Sequence, residues 1–215
     1  MDHNKMYSVK EVYYTIQGEG YHTGRPAVFI RFSGCNLWSG LEKDRDKAVC
    51  NFCDTNFVGT NGPGGGKFMS ADKLAIHARQ FWPKESHMNP FVVCTGGEPL
   101  LQMDDGFVTA FHQKGFEIAI ETNGTILPPK GIDWICVSPK MGSTLLLKNG
   151  DELKLVFPQP DGDPMQFEHL EFEHFSLQPM DGPHQVKNTE KTVTYCHKHP
   201  HWRVSLQTHK FLGIP

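Results

Sequence analysis

The chain has 215 residues, 21 of them basic and 24 acidic, for a net charge of -3 with 38% hydrophobic residues. That length suffices for one substantial core and asks for no second domain, so a single domain over 1–215 is expected. The interleaved charges lack the concentrated basic face that a nucleic-acid partner requires, no run approaches the roughly 18 apolar residues of a membrane span, and MDHNKMYSVKEVYYT has no apolar leader core. A cytoplasmic protein with no nucleic-acid or membrane partner is the expectation.

The first predicted element is a β-rich segment, Val9 to Thr15 (VKEVYYT), followed by the turn-like Gln17-Gly18-Glu19-Gly20 and a second strand, Ala27 to Phe32 (AVFIRF). These pair as a hairpin leading into Cys35, Cys50 and Cys53. The glycine-rich Thr60 to Gly66 (TNGPGGG) reads as a loop; it misses the phosphate-loop pattern because Phe68 follows Lys67 and no strand precedes it. Ser70 can cap a helix from Ala71 to about Phe81, which Pro83 stops. A buried strand, Phe91 to Cys94, runs into Thr95-Gly96-Gly97-Glu98-Pro99, and Asp104 to Lys114 is helical until Gly115 ends it.

The same rhythm then recurs. Strands at Phe116 to Ile120, Trp134 to Val137, Leu153 to Phe157, Phe175 to Leu177 and Arg203 to Leu206 alternate with loops, with a helix near Thr189 to His197. Their carboxyl ends deliver Glu121-Thr122-Asn123-Gly124, Ser138-Pro139-Lys140, Gln178-Pro179-Met180-Asp181 and Gln207-Thr208-His209. Polar residues gathered at one rim are the layout of a parallel βα sheet or barrel. Helices are weak around residues 125 to 131 and 141 to 150, so the expected fold is α/β, an abbreviated and incomplete (βα)6-type partial TIM barrel with an N-terminal β-hairpin.

Cys35, Cys50 and Cys53 form a C-x14-C-x2-C set in a chain of six cysteines and 12 histidines. Cysteines in a reducing cytosol are rarely disulfides, so this cluster reads as ligands, and Cys94, Cys136 and Cys196 as small core residues. Three thiolates from one segment suit a metal centre with one open position; spacing alone leaves zinc with a borrowed histidine, an iron-sulfur cluster and a redox CxxC all open.

Context narrows the choice. Cysteines after the first core strand, Phe52 just before the last of them, and a strand ending in Gly96-Gly97-Glu98-Pro99 resemble the radical S-adenosylmethionine superfamily. Gln17-Gly18-Glu19-Gly20, Arg31-Phe32-Ser33-Gly34-Cys35-Asn36-Leu37, Cys53-Asp54-Thr55, Glu121-Thr122-Asn123-Gly124 and Ser138-Pro139-Lys140 together look like its 7-carboxy-7-deazaguanine synthase family, from Tyr14 to the end of the chain. One feature departs from the superfamily pattern: Asn36 to Val49 stand between the first two cysteines, where three residues are usual, which implies a modified cluster-binding loop.

The resemblance implies that Cys35, Cys50 and Cys53 hold a 4Fe-4S cluster whose fourth iron takes S-adenosylmethionine, cleaved by one electron to a 5′-deoxyadenosyl radical, so that no side chain is the hydrogen-abstracting group. Gly97 and Glu98 would receive the methionyl amine, Ser138 and Lys140 the carboxylate, and Phe52, Asp54, Asn123, Gln178, Pro179, Met180 and Asp181 the adenosyl half. The implied substrate is 6-carboxy-5,6,7,8-tetrahydropterin, read by Ile16, Gln17, Gly18, Glu19, Arg31, Thr95, Glu121, His209 and the carboxylate of Pro215. Mg2+ is implied at Thr55, a flavodoxin as electron donor, and a homodimer as the assembly. The alternatives are a related glycyl-radical activase of the same superfamily and, from a different class, a non-catalytic zinc-stabilised binding module. Taken singly, Arg31, Lys140 and His209 read as surface residues, Thr55 as a cap, Lys43 to Lys47 (KDRDK) as a solvated face that a reductase could order, and Trp82, Trp134 and Trp202 as core.

Overall fold

The computed structural model describes residues 5–215; the first four residues of the stretch read for a leader lie outside the described residues. Nine strands form one open mixed α/β sheet in the order β3-β1-β2-β4-β5-β6-β7-β8-β9. Strand β1 (Tyr7–Ile16) pairs antiparallel with β2 (Pro26–Phe32) and with β3 (Gly66–Phe68). From β2 onward every pairing is parallel, through β4 (Phe91–Gly96), β5 (Glu117–Thr122), β6 (Trp134–Val137), β7 (Asn149–Phe157), β8 (Glu171–Pro179) and β9 (Trp202–Val204).

Helices stand where the chain supplies caps and an apolar stripe. Helix α1 (Ala71–Arg79) starts where Ser70 Oγ accepts from Lys73 N at 3.3 Å and buries Leu74, Ala75 and Ala78. Helix α2 (Asp105–Gln113) starts where Asp104 accepts from Phe107 N at 2.9 Å and buries Phe107, Val108 and Phe111. Helix α3 (Gln185–Lys198) is longer than the predicted Thr189 to His197, because its first turn is polar and its start is not marked by a side-chain cap. A short α4 (Thr208–Leu212) ends at Gly213 in the left-handed region, φ 65°. Residues 125–133 and 138–148 carry no helix, as the weak patterns there suggested.

The glycine-rich stretch is not wholly a loop, since Gly66 opens β3. Close approach explains the composition: a Cβ on Gly65 would lie 2.2 Å from Lys10 O, so only glycine lets the chain come down beside β1 and add an edge strand. The core lies on the helical face of the sheet, where Val28, Ile30, Phe32, Val92, Cys94, Ile118 and Ile120 pack with Leu74, Phe107 and Phe111. A second cluster, around Leu153, Leu155, Leu177 and Trp202, continues it under α3.

Candidate active site

The other face of the sheet is polar, and strand register shows why the residues meet. Side chains alternate along a strand, so residues paired across strands share a face. Arg31 pairs with Thr95, Glu121 with Cys136, Cys136 with Glu152, Glu152 with His174, and Lys154 with Ser176. A parallel sheet covered by helices on both sides would be apolar here. The chain between β1 and β2 crosses this face: Glu19 reaches Lys154, Tyr21 N donates to Glu152 at 3.0 Å, and the Tyr21 ring stacks on His174 with centroids 4.1 Å apart. Above it, at the carboxyl ends of the parallel strands, opens a cavity of about 370 Å³. Every site residue named from the sequence lines that cavity except Glu98.

The cysteine segment forms one wall. Gly97 N donates to Phe32 O at 3.3 Å and Glu98 N to Gly34 O at 2.9 Å, so the end of β4 lies against the start of the cysteine loop. A Cβ on Gly97 would sit 2.0 Å from Gly34 O and 2.8 Å from Cys35 Cβ, which reserves that position for glycine. The insert is held from inside: Arg45 donates to Asn51 O at 2.9 Å and Cys53 O at 3.0 Å, and its guanidinium lies 4.1 Å from the Trp38 ring centroid. Arg45 thus staples the turn between Cys50 and Cys53, so the Lys43 to Lys47 segment is more than a solvated face. The adjacent Cys50 thiol drops the Cys53 pKa to about 6, while Cys53 and burial push Cys50 up; burial raises Cys35. Among the described residues no three His, Cys, Asp or Glu side chains are drawn in around a single ion.

The opposite wall carries a buried ion network. Lys154, 4% exposed, places Nζ 2.8 Å from Glu19 Oε2 and 3.0 Å from Glu121 Oε2. Gln207 donates to Glu19 Oε1 at 2.9 Å, while Gln17 lies 3.4 Å from Glu121 Oε1. Burial opposes the Lys154 charge, but Glu121 and Glu19 hold its ammonium well above the usual lysine range. Glu19 is buried too, yet Lys154 and Gln207 keep its carboxyl below the usual range. For Glu121 burial wins, with Glu19 as a like charge, and its pKa is raised despite Lys154. Arg31 donates to Glu11 at 2.7 Å and to the Tyr13 hydroxyl at 3.0 Å, so part of its fork is already engaged by partners on β1.

Between the walls, Lys140 donates to Ser138 O at 2.7 Å and Ser138 Oγ at 2.6 Å; burial lowers its pKa although the Cys50 and Cys53 thiols act to raise it. Glu98 points away from the cavity. Its carboxylate accepts from Leu100 N at 3.0 Å, Thr122 Oγ1 at 2.8 Å and Asn123 N at 2.8 Å, and burial raises its pKa. The rim is closed by α4, whose Lys210 bridges Asp54 at 2.8 Å and Asp181 at 2.6 Å. Thr15 Oγ1 donates to Pro215 O at 2.9 Å, and His209 lines the same cavity.

Sequence reasoning missed Glu11, Tyr13, Lys154 and Lys210, and brought Gln207 to the rim without giving it a role; all five line the site. Lys154 had a signal: one lysine inside the apolar run LKLVF of a central strand is either wrong for that strand or paired in the interior.

An open α/β sheet with a thiol-lined, charged cavity at the carboxyl rim of its parallel strands defines an enzyme built for a small polar ligand. No family model matches the chain. Its relatives are nonetheless clear. It is 59% identical over 208 residues to the 7-carboxy-7-deazaguanine synthase of Bradyrhizobium diazoefficiens, covering 97% of this chain and 99% of that one, and 58% identical over 209 residues to that of Caulobacter vibrioides, with the same coverage. A crystal structure of QueE from Escherichia coli superposes with a TM-score of 0.67 at 26% identity, over 94% of this chain and 93% of that one. The chain belongs to the 7-carboxy-7-deazaguanine synthase family.

Proposed function

We propose that this enzyme is a radical S-adenosylmethionine lyase that converts 6-carboxy-5,6,7,8-tetrahydropterin to 7-carboxy-7-deazaguanine with loss of ammonia, a step towards queuosine-type 7-deazapurines. The observation that carries it is the meeting, in one cavity, of three cysteines and a buried pair of carboxylates suited to N–H donors. Curated relatives of that name over nearly the whole chain support the same activity.

The donor set fits the implied groups. Cys35, Cys50 and Cys53 line the cavity together, one thiol already acidic and a buried ammonium nearby, as thiolate ligation of a 4Fe-4S cluster needs. When bound, that cluster would supply the electron that cleaves the sulfonium of S-adenosylmethionine to a 5′-deoxyadenosyl radical. The chain's own residues bind and orient. The Gly97 backbone lies beside Cys35, where a methionyl amine can approach; Ser138 and Lys140 suit its carboxylate; Phe52, Asp54, Asn123 and Gln178 to Asp181 wall the adenosyl side. Thr55 offers a hydroxyl to Mg2+, which needs little else beyond waters and a substrate carboxylate. Glu98 acts from behind, fixing the ends of β4 and β5 that carry Gly97 and Asn123.

On the substrate side Arg31 faces the pterin carboxylate with the part of its fork that Glu11 and Tyr13 leave free. Ile16, Gln17, Gly18, Glu19, Thr95, Glu121, His209 and Pro215 surround the heterocycle. We further read the open sheet as an abbreviated partial barrel, residues 1–215 as one domain, a flavodoxin as electron donor, a second copy of the chain as partner, and the cytoplasm as location. Six unpaired cysteines support a reducing compartment, and among the described residues no helix is long and apolar enough to cross a membrane. Anaerobic assay of iron- and sulfide-reconstituted protein with the tetrahydropterin, S-adenosylmethionine, Mg2+ and a reductant tests the reading. It should yield the deazapurine; absence of both that product and 5′-deoxyadenosine would reject it.

A further inference from the structure

Two walls of the cavity meet at one side chain. Gln207, just ahead of α4, donates from its Nε2 to Glu19 Oε1 at 2.9 Å and to Asp54 Oδ2 at 3.1 Å, while its Oε1 accepts from Lys210 Nζ at 2.9 Å. A primary amide carries two N–H bonds on that nitrogen, and here each goes to a different carboxylate. The orientation is forced. Anions lie on one side of the amide and an ammonium on the other, so the reverse placement would set its oxygen against two carboxylates and its N–H groups against a cation.

The two carboxylates belong to different halves of the cavity. Glu19 stands in the loop after β1, on the side assigned above to the heterocycle, and takes Lys154 on its other oxygen at 2.8 Å. Asp54 follows the last cysteine, on the side assigned to the adenosyl group, and shares Lys210 with Asp181. Resonance keeps an amide planar, so a bond that fixes one N–H fixes the direction of the other. A ligand that immobilises Glu19 therefore immobilises the amide and presents Asp54 with a donor already in place; a ligand that immobilises Asp54 does the same for Glu19. Ordering these side chains costs entropy, and the second ligand to arrive does not meet that cost again.

We infer that Gln207 is a positioning residue that couples the two halves of the cavity: through one rigid amide it holds Glu19 and Asp54 in register, so that S-adenosylmethionine and the pterin each tighten the binding of the other. The inference rests on the assignment of both ligands proposed above. It needs no contact between Gln207 and either of them. Such coupling is reciprocal, so the factor is the same whichever ligand is added second.

Anaerobic equilibrium dialysis of the reconstituted holoenzyme, without reductant so that nothing turns over, tests this by measuring S-adenosylmethionine and 6-carboxy-5,6,7,8-tetrahydropterin each alone and each with the other saturating. In the wild type the second ligand should bind about fivefold or more tighter than it binds alone. In Gln207→Met, which keeps the length of the stem but offers neither carboxylate a donor, that ratio should fall to about one. Gln207→Glu keeps an acceptor for Lys210 but sets a third carboxylate against the other two, and should lose the ratio as well. Thr208→Val removes the hydroxyl bond to Gly18 O at 3.0 Å and loosens the same segment without touching the amide, so its ratio should stay at the wild-type value even where each ligand alone binds more weakly. A wild-type ratio in either Gln207 variant, or a ratio lost in Thr208→Val too, overturns the inference; should Gln207→Met fail to fold, Gln207→Glu decides. Wild-type protein that binds the two ligands independently fails this inference only, whereas one that does not bind both fails the reading of the site and this inference with it.

Discussion

Glu98 and Gly97 divide the work of one motif between side chain and backbone. Gly97 lines the cavity and lies against Gly34 and Cys35; Glu98, next in the chain and 0% exposed, turns inward to three donors. Truncating Glu98 to Ala strands Leu100 N, Asn123 N and Thr122 Oγ1, each costing about 1 to 3 kcal/mol when buried without a partner. Glu98→Ala should therefore lose at least about 3 kcal/mol of stability on that basis, read as a lower urea midpoint. An unchanged midpoint would count against the clamp. Gly97→Ala fails differently. Its Cβ would collide with the Gly34 carbonyl, which belongs to backbone and cannot swing away, so the cysteine loop must shift. If the three cysteines hold a cluster as proposed, the reconstituted variant should bind far less iron than the wild type; full iron loading would show that the loop tolerates displacement. That Gly96-Gly97-Glu98-Pro99 brings a strand end to the cavity was legible. Which of its members faces the cavity was not, because that depends on the single 3-10 turn after Glu98, whose direction no local pattern records.

Elements were legible in proportion to their periodicity. Strands β4, β5 and β6 announce themselves as short apolar runs ended by polar residues, and α1 and α2 carry caps that name their first turns. Strand β3 and helix α4 were not legible, since three and five residues are too few to show a period. What holds them is tertiary: close approach to β1 for the strand, and side-chain bonds to distant segments for the helix. Helix α4 is fastened by Lys210 to Asp54, beside the last cysteine, and to Asp181, beyond the end of β8. The Lys210 bond holds Asp181 below the usual carboxylate range, and for Asp54 the bonds from Lys210 and Gln207 outweigh its burial to the same effect. A carboxylate whose folded pKa is depressed stabilises above its unfolded pKa, and the contribution fades as pH falls through the folded value. Acidification should therefore free α4 before the sheet melts, seen as faster hydrogen exchange in residues 207–212 at low pH than neutral exchange chemistry alone accounts for. In Lys210→Met that acid-dependent component should already be absent, with residues 207–212 exchanging fast at neutral pH. Equal protection in the variant and the wild type would leave the latch without a role.

At the scale of the whole molecule, the site joins parts that the sheet keeps far apart. Strands β1 and β9 are separated by six others in the sheet order, yet the chain after β1 meets the chain after β9: Thr208 N donates to Gly18 O at 2.9 Å, Gly20 N to Ser205 Oγ at 2.8 Å, and Gln207 to Glu19 at 2.9 Å. An open sheet can bring these together only by curling round its polar face, in the sense of its ordinary twist. The edge strands β3 and β9 do not pair; the loop after β1 meets the chain after β9, and the cavity lies between. The hairpin and the incomplete run of βα units were readable from the sequence, but this closure was not, because it consists of side-chain and backbone bonds between segments nearly 190 residues apart. A ligand seated as proposed would touch both bridging segments and the cysteine loop, so its binding energy would be shared by the whole fold. At about 100 times Kd a ligand adds about 2.7 kcal/mol to the stability of the state it binds. Hydrogen exchange of anaerobic holoenzyme with S-adenosylmethionine and the tetrahydropterin should accordingly slow together at residues 17–20, at 50–55 and at 205–210, with a higher unfolding temperature than either ligand produces alone. Protection confined to residues 50–55 would mean that the two ends of the chain close the site without sensing what fills it.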